Sequence, residues 1–401
     1  MRSTLTKLVT ALAVVVVPLT LPAEPAVAPH AAGPIAPAAD EMIRPLARPA
    51  PPAPRTQLLF NDPLRRPHTI ANAIVANIDG VPAGERIDVT TYWISSRRIA
   101  AALTRAVRRG VEVHVVLAGN DKARGFVTSR RLMRLLRRPG TPGSWGVWSD
   151  GAARGSGGIM HQKSYRFSRV GDRRWVVMNG SYNSADTSDR NAYALMWQVV
   201  GDQQLYDAFG RIGQAQVAQR SLRRPLRTAD GRGWSAYFLP TIETPDADPV
   251  MSRLRGIPGR PGTVIRIAMY SMWGPRAEWI ARRLAAMTRG GARVTVVAGP
   301  TVEIRVQEIL TSAGVRVLPG CFADHTYTHS KDMAATWVYR GTRHVRTWVG
   351  SDNWTSQGMA SDEAVLGVEG AEGYRTFSAA FALLTRRTDG VGGAACSPRK
   401  D

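Results

Sequence analysis

Two stretches of the chain carry the same set of residues that can act on a phosphate ester. The first has His161 and Lys163 in an H-x-K pattern, followed by GSYN at 180–183. The second has His329 and Lys331, followed by GSDN at 350–353. An imidazole can serve as nucleophile, acid or base near neutral pH, and an ammonium beside it can hold a phosphate oxygen. Two of only five lysines and two of seven histidines fall in this doubled pattern, so coincidence is a poor explanation.

The pattern also predicts how these side chains are presented. Residues i and i+2 of a strand share a face, so the His and Lys of each H-x-K point the same way. The G-S-x-N turn closes a hairpin, with small residues that allow close approach and with Ser and Asn as hydrogen-bond donors. Two facing copies supply enough donors to hold a phosphodiester without a metal, so no cofactor is expected.

The elements that must position the motifs are repeated as well. Phe60 and Phe238, like Tyr92 and Tyr270, are 178 residues apart. Apolar residues at helical spacing follow each tyrosine, then come a β-branched run and a second amphipathic helix. We predict helices at 97–110, 128–138, 276–291 and 303–313, and strands at 58–63, 87–94, 111–119, 236–241, 265–272 and 292–300. The alternation of strand and helix favours mostly parallel sheets flanked by helices.

The repeat divides the chain into segments. We predict a signal peptide at 1–28, a Pro/Ala-rich disordered or semi-rigid linker at 29–55, a first α/β module at 56–220, a basic linker at 221–231, a second module at 232–386 and a tail at 387–401. The alternatives at the N-terminus are an uncleaved membrane anchor or cleavage nearer Ala38. Export implies an oxidising compartment, so Cys321 and Cys396 are expected to pair, with two free thiols as the alternative.

The doubled motif resembles the phospholipase D superfamily, over essentially all of residues 56–386. The resemblance implies a duplicated α/β/α sandwich, a pseudo-dimer with mostly parallel mixed sheets and the active site between its modules. It implies that one histidine attacks phosphorus and forms a phosphohistidine, a role we assign to His161. His329 would then protonate the leaving alcohol and activate water or an acceptor alcohol.

Further site residues are implied by the same resemblance. The phosphate-holding positions are Lys163, Lys331, Asn183 and Asn353, with Ser181 and Ser351 at the hydroxyl positions. An acidic residue that orients a catalytic histidine is expected after each G-S-x-N: Glu363 in the second half, and Asp189 in the first, with Asn191 as the fallback. The family's usual Asp five residues after the Lys is replaced by Ser168 and Thr336. The tyrosyl-DNA phosphodiesterase branch also lacks this Asp, so the substrate class stays open.

The amino-acid composition and net charge limit the fold classes and binding partners that we expect. The hydrophobic fraction of 44% and charged fraction of 21% are those of a folded globular protein and exclude a coiled coil or collagen. A formal net charge of +22 favours polyanionic partners. Nearly all of the basic residues are arginine, which is typical of a GC-rich genome, so part of the excess reflects codon usage.

We therefore predict a secreted, monomeric phosphodiesterase of the phospholipase D type that hydrolyses phospholipid head-group esters, with transphosphatidylation as an additional reaction. The alternative is a secreted nuclease or nucleic-acid phosphodiesterase, and a non-catalytic basic binding protein is the third hypothesis. The Gly-rich segment 140–158, with Trp145 and Trp148, is predicted to be a mobile lid or a substrate loop whose exposed tryptophans suit a membrane interface or base stacking. The alternative is a flexible loop with one of the two tryptophans packed against the protein. Head-group preference does not follow from the sequence.

Overall fold

The computed structural model describes residues 53–138, 140–141 and 143–392. The predicted signal peptide and most of the predicted linker lie outside these residues. Cys396 also lies outside the described residues. Cys321 is buried, and its predicted disulfide with Cys396 stays a prediction. None of the described helices is long and apolar enough to cross a membrane. The described residues belong to one compact unit, so the two sheets described next are parts of one body.

The first sheet and its helices occupy the N-terminal half of the described chain. Their order is β1 (Gln57–Asn61), α1 (Thr69–Asp79), β2 (Arg86–Thr91), α2 (Arg97–Arg108), β3 (Glu112–Ala118), α3 (Asp121–Gly125), α4 (Val127–Leu136), β4 (Trp145–Ser149), β5 (Lys163–Val170), β6 (Arg173–Gly180), α5 (Asp186–Asn191), β7 (Ala192–Val200) and α6 (Gln203–Val217).

The second sheet and its helices follow. Their order is β8 (Arg227–Gly231), β9 (Trp234–Phe238), α7 (Pro249–Arg255), β10 (Val264–Trp273), α8 (Gly274–Arg289), β11 (Arg293–Val302), α9 (Ile304–Thr311), β12 (Arg316–Pro319), β13 (Tyr327–Thr328), β14 (Lys331–Tyr339), β15 (Thr342–Gly350), β16 (Trp354–Thr355), α10 (Ser356–Ala360), β17 (Ala364–Glu369) and α11 (Ala371–Thr385).

The predicted helices and strands of the repeat form where they were expected. In α2, Ile99, Ala102, Leu103 and Ala106 make a buried stripe, and the Ser96 side chain accepts a hydrogen bond from the Ile99 amide at the start of the helix. The chain leaves α2 through Gly110, whose φ of 84° suits a residue without a Cβ. The second copy, α8, ends in the same way at Gly290 and Gly291.

The two sheets are mixed, as predicted, but they are not mostly parallel. The first runs β1-β7-β6-β5-β2-β3-β4, with parallel pairing along this path only among β2, β3 and β4. The second runs β12-β11-β10-β14-β15-β17-β9-β8, with parallel pairing along this path only among β10, β11 and β12. The remaining pairs along these paths are antiparallel, and two of them form because a tight hairpin joins each H-x-K strand to its G-S-x-N strand.

The linker prediction needs one correction. Residues 227–231 form β8, which pairs along its whole length with β9 as the edge of the second sheet. The segment was assigned to a linker because charge and turn residues dominate it. Alternate side chains face solvent in an edge strand, so such a composition is compatible with pairing.

A shared apolar core joins the inner faces of the two sheets. It combines Phe60 and Leu195 of the first sheet with Phe238 and Leu366 of the second, and α11 adds Phe377. Each sheet has its own core on its outer side, beneath α1, α2 and α4 in the first case and beneath α7, α8 and α9 in the second. The shared core therefore packs the inner faces of the two sheets against each other.

Candidate active site

The two motifs meet at one edge of the paired sheets. Lys163 begins β5 and pairs with Thr91 at the end of β2, and Lys331 begins β14 and pairs with Met269 near the end of β10. The strands β6 and β15 bring their G-S-x-N turns back to this edge, since each ends at the glycine of that motif. The hairpin geometry predicted from the sequence therefore places each H-x-K beside a G-S-x-N.

Each H-x-K segment is bonded to the opposite half of the molecule. The His161 amide donates to the Asp362 carbonyl at 3.0 Å, and the His329 amide donates to the Tyr193 carbonyl at 2.9 Å. β13, directly before His329, pairs in parallel with the start of β7. The backbone that carries each histidine is thus held by the other half, so the site exists only where the halves meet.

The His161 ring is oriented by a buried carboxylate. Its Nδ1 lies 2.8 Å from Oε1 of Glu363, and the side chains are 12% and 1% exposed. If Glu363 accepts the proton on Nδ1, the lone pair of Nε2 is free to act. Burial lowers the pKa of His161 well below its ordinary value, and the ammonium groups of Lys163 and Lys331 lower it further. The imidazole is therefore held in its neutral, nucleophilic form.

The His329 ring has a different partner. Its Nδ1 lies 2.8 Å from the carbonyl oxygen of Ser181, a neutral acceptor. Nζ of Lys331 lies 3.1 Å from each ring nitrogen and donates to the His329 carbonyl at 2.7 Å. Burial, followed by the charges of Lys331 and Lys163, lowers the pKa of His329 well below its usual range. A phosphate anion in the site would oppose the lysine charges and favour protonation of this ring.

Asp189, predicted to orient the second histidine, lies elsewhere. One of its oxygens, Oδ2, is 2.8 Å from Nδ1 of His68, and the other accepts from the Tyr182 hydroxyl at 2.7 Å. Asn191, the alternative candidate, ends α5 and forms no hydrogen bond with His329 among the described residues. The Asp189 prediction is therefore wrong in its role, because the carboxylate stabilises a turn on the first half.

Strand register explains the misassignment. The Ser351 amide donates to the Ala364 carbonyl, and the Ser181 amide donates to the Leu195 carbonyl. The residue before Ala364 is Glu363, and the residue before Leu195 is Ala194. Ala194 therefore occupies the position that matches Glu363, and the first half has no carboxylate there. Glu363 follows Ser351 by 12 residues, whereas Asp189 follows Ser181 by only 8 and lies within α5, before the strand position that corresponds to Glu363.

Both lysines are buried beneath the site. Lys163 is fully buried and Lys331 is 3% exposed. Burial lowers the pKa of Lys163 to about 7 and lowers that of Lys331 further from its usual range, with Lys163 as an additional cause for Lys331. Burial also raises the pKa of Glu363 to about 8, against the attraction of Lys163. Glu363 attracts both ammonium groups, and a bound phosphodiester would add a further negative charge that favours their protonated forms.

The two asparagines present unused polar atoms. The Asn183 and Asn353 side-chain oxygens are buried and have no hydrogen-bond partner among the described residues. The serines are differently engaged, because Ser181 Oγ accepts from the Leu195 amide at 3.0 Å and Ser351 Oγ accepts from the Ala364 amide at 3.1 Å. The serine hydroxyls therefore hold the turns to the neighbouring strands, and their contact with phosphate stays a prediction.

An aromatic ring flanks each histidine–lysine pair. The Tyr92 ring lies 5.2 Å from the His161 ring, and the Tyr270 ring lies 4.8 Å from the His329 ring. Nζ of Lys331 is 4.7 Å from the Tyr270 centroid, within range of a cation–π contact. The 178-residue repeat identified these tyrosines, but the sequence analysis assigned them no place in the site.

The residues at the usual Asp position lie away from the histidines. Ser168 Oγ donates to Glu85 Oε2 at 2.7 Å and accepts from the Arg86 amide at 2.8 Å, near the start of β2. Thr336 pairs with Val264 at the corresponding place in the second sheet. Both substitutions therefore lie at the far ends of the strands, where they affect strand pairing.

The Gly-rich segment is anchored, which contradicts the mobile-lid prediction. Arg154 is fully buried, and its Nε donates to Asp362 Oδ1 at 2.8 Å, directly beside Glu363. Trp145 and Trp148 belong to β4 and are half-buried. Trp145 stacks on His114 at 4.4 Å, and Trp148 packs against the first core. Neither indole is the free anchor that the sequence suggested.

A second buried charge network supports the other turn. Arg276 is fully buried and donates to Asp352 Oδ1 at 2.7 Å and to Asp248 Oδ1 at 3.1 Å. The Tyr237 hydroxyl donates to Asp352 Oδ2 at 2.8 Å. Asp352 is the variable residue of G-S-x-N, so this network fixes the turn that carries Asn353. This network could not be predicted from the sequence, because its members are far apart along the chain.

Comparison with known proteins gives the following matches. A family described as "Cardiolipin synthase, PLD-like domain" matches residues 81–210. The structure of phosphatidylserine synthase from Haemophilus influenzae has a TM-score of 0.56 at 12% identity, covering 82% of this chain and 86% of that one. Polyphosphate kinase from Porphyromonas gingivalis has a TM-score of 0.55 at 14% identity, covering 83% of this chain. This chain spans 51% of the kinase. No curated protein matches the chain.

Proposed function

We propose that this chain, whose residues 81–210 match a PLD-like domain family, is a member of the phospholipase D superfamily and hydrolyses the head-group phosphodiester of phospholipids through a phosphohistidine on His161. The contact that carries the proposal is the 2.8 Å pairing of His161 Nδ1 with Glu363, opposite a second histidine that has no carboxylate. Only one of the two imidazoles is thereby equipped to bear the positive charge that a nucleophile acquires.

The first step is attack of the His161 Nε2 lone pair on phosphorus. The bond between phosphorus and the head-group oxygen breaks, and His329 gives its Nε2 proton to that oxygen, so the head group leaves as a neutral hydroxyl. Glu363 stabilises the positive charge that develops on the His161 ring. Lys163, Lys331 and the Asn side chains hold the non-bridging oxygens.

The second step regenerates the enzyme. His329, now neutral, accepts a proton from water, and the water oxygen attacks the phosphorus of the phosphohistidine. The P–N bond breaks, phosphatidic acid leaves and Nε2 of His161 recovers its lone pair. An alcohol in place of this water would give transphosphatidylation with the same balance of bonds and protons.

Four exposed apolar side chains favour a lipid surface as the source of substrate. Leu64 and Ile242 are 54% and 66% exposed in loops that follow β1 and β9, and Val127 and Ile304 are exposed at the starts of α4 and α9. All four loops leave the sheets at the edge that carries the histidines. Exposed apolar residues at the mouth of a site, on a basic protein, suit an anionic membrane interface.

The matched proteins favour the same substrate class. The family match names cardiolipin synthase, and the structural relative with a TM-score of 0.56 is a phosphatidylserine synthase. With the predicted export signal at 1–28, these names support action on phospholipid outside the cell.

The test is a side-by-side assay of the purified chain on phosphatidylcholine vesicles and on plasmid DNA. The proposal predicts head-group release that His161→Ala abolishes. DNA cleavage that depends on His161, with no release of any head group, would replace the proposal by the nuclease alternative.

The exposed apolar side chains can be tested separately. Leu64→Asp combined with Ile242→Asp should weaken binding to vesicles and leave turnover of a monomeric short-chain phospholipid unchanged. Val338→Asp combined with Tyr339→Asp is the matched control, because these exposed residues lie at the opposite end of β14. Equal loss of vesicle binding in both pairs would contradict the assigned interface.

A further inference from the structure

A groove lined by arginines runs over the outer face of the first sheet, between α2 and α4. Its volume is about 610 Å³, and half of its lining residues are arginines, all of them exposed: Arg97, Arg105, Arg108, Arg131, Arg134 and Arg138. Only Arg105 forms an ion pair among the described residues, with Asp79. The groove therefore concentrates positive charge that the protein itself leaves largely unbalanced.

The second sheet provides an internal control for this observation. The helices α8 and α9 follow β10 and β11 as α2 and α4 follow β2 and β3. Together α2 and α4 contain seven arginines and no acidic residue, whereas α8 and α9 contain five arginines and two glutamates. Codon usage acts on both copies alike, so it does not explain why one groove is basic throughout.

Three of the five arginines in the helices of the second copy are also neutralised locally. Arg282 pairs with Glu278 and Arg305 lies within ion-pair distance of Glu308. Arg276 is buried between Asp248 and Asp352 and never reaches solvent. Two helices in the same place in the fold can thus be built with paired charges, and the first copy is not built that way.

The shape of the groove indicates which kind of ligand it can bind. Both helices begin at the edge that carries the histidines, since each returns the chain between parallel strands, and they run away from it side by side. Arg131, Arg134 and Arg138 are three and four residues apart, which is about one helical turn, or ~5 Å, between charges. None of the lining residues is among the exposed large apolar side chains. A concave track lined mainly by charged side chains fits a linear polyanion better than a flat membrane.

We propose that this groove binds the sugar-phosphate backbone of a single-stranded nucleic acid, apart from the catalytic centre. Packed helices lie about 8–10 Å apart, so the groove between them is narrower than a duplex. None of the residues that line the groove is aromatic, and the nearby Phe126 packs against Trp93, so the groove offers no ring for base stacking. Binding should therefore be independent of sequence and strongly dependent on salt.

The test compares two triple variants that lower the net charge equally. Arg108→Gln, Arg131→Gln and Arg134→Gln remove charges from the groove, and Arg282→Gln, Arg289→Gln and Arg305→Gln remove exposed charges from the second copy. Binding of a fluorescent oligothymidylate to the full chain is measured by anisotropy over a salt series, with His161→Ala in every protein to prevent cleavage. Melting curves establish that each triple variant is folded.

The groove variant should bind at least tenfold more weakly, and its slope of log affinity against log salt should be shallower by about 2, because three phosphate contacts are lost. The second-copy variant should change far less. Equal losses in the two variants would overturn the proposal, since net charge alone would then explain binding. It would also be overturned if the groove variant lost affinity for phosphatidylglycerol vesicles but not for the oligonucleotide.

Ultraviolet crosslinking of a 4-thiothymidine oligonucleotide locates the bound strand directly. Crosslinked peptides should come from residues 97–138. Crosslinks confined to the second copy or to the histidine motifs would contradict the groove. The outcome is independent of the proposed reaction, because a chain that releases no head group can still bind the strand, and a chain that hydrolyses lipid can fail to bind it.

Discussion

The two halves of the candidate site share a backbone and differ in what touches each imidazole. His161 and His329 both lie beside a tyrosine ring, precede a buried lysine and donate their amides to the opposite half. His161 then pairs with the carboxylate of Glu363, whereas His329 pairs with the carbonyl of Ser181. Duplication thus supplies a symmetric scaffold, and one position in the register, Glu363 against Ala194, makes the chemistry asymmetric.

This difference suggests separate roles. A carboxylate on Nδ1 stabilises an imidazolium and the cationic ring of a phosphohistidine. A carbonyl fixes ring orientation without neutralising that charge, so the ring gives up its proton more readily. The first environment suits a nucleophile and the second suits an acid that must release and recover a proton in each cycle.

Loss of either histidine should have the largest effect. His161→Ala should reduce turnover to background for every substrate, because no group remains to form the intermediate. His329→Ala should reduce turnover about 10²–10⁴-fold on a natural head group, the usual contribution of acid–base catalysis. An ester of p-nitrophenol needs little protonation to leave, so it should recover much of the first step in His329→Ala and none in His161→Ala. Equal behaviour of the variants on both substrates would contradict separate roles.

The turns that carry the asparagines offer a second comparison. Arg276→Ala should lower the free energy of unfolding by about 3–5 kcal/mol, because Asp248 and Asp352 would be left buried without a counter-charge. In the first half the matching turn residue is Tyr182, whose hydroxyl donates to Asp189. Tyr182→Phe should cost only about 1–3 kcal/mol, since Asp189 keeps His68. Urea denaturation measures both, and a larger loss in Tyr182→Phe would reverse the assignment of the stronger network.

The two acids should differ in their effect on catalysis. Glu363→Gln keeps the side-chain volume and removes the carboxylate from His161, so turnover should fall about 10²-fold or more while the substrate KM changes little. Asp189→Asn should leave turnover within a few-fold because its contacts are to His68 and Tyr182. A catalytic defect in Asp189→Asn as large as that in Glu363→Gln would contradict the contacts that the structure assigns to Asp189.

The smallest expected effect is on stability against pH. The pKa of His329 is lowered in the folded state, mainly by burial, so below about pH 6.5 the unfolded chain binds a proton that the folded chain does not. Stability therefore falls as pH falls, by up to about 1.4 kcal/mol per pH unit for this group. His329→Gln should flatten the dependence between pH 6.5 and pH 5, in denaturation series on both proteins. An unchanged slope would show that His329 is protonated in the folded chain.

Much of this arrangement could be predicted from the sequence, for a physical reason. The doubled pattern identifies the four residues His161, Lys163, His329 and Lys331. It can be recognised because histidine and lysine are rare in this chain and because the pattern does not depend on the residues between its two copies. Tyr92 and Tyr270 could be identified because they occupy equivalent positions in the 178-residue repeat. Both signals are local in sequence, and local signals report strands, helices and the turns that join them.

Other features depended on which residues meet across the fold. The match of Ala194 with Glu363 is set by strand register, which depends on pairing between separate strands. The burial of Arg154 against Asp362 and of Arg276 against Asp248 and Asp352 follows from contacts between distant segments. A Gly-rich composition suggested a mobile lid because glycine reports backbone freedom in isolation, and it carries no information about an arginine that anchors the segment.

The most direct test is to identify the residue that carries the covalent intermediate. The enzyme is mixed with a phospholipid labelled with ³²P, quenched in strong base, where phosphohistidine is stable, and digested for peptide mapping. The account predicts a labelled peptide that contains His161, its accumulation in His329→Ala and its absence in His161→Ala. A label on His329, or turnover by His161→Ala with no labelled histidine, would contradict the assignment of His161 as the nucleophile.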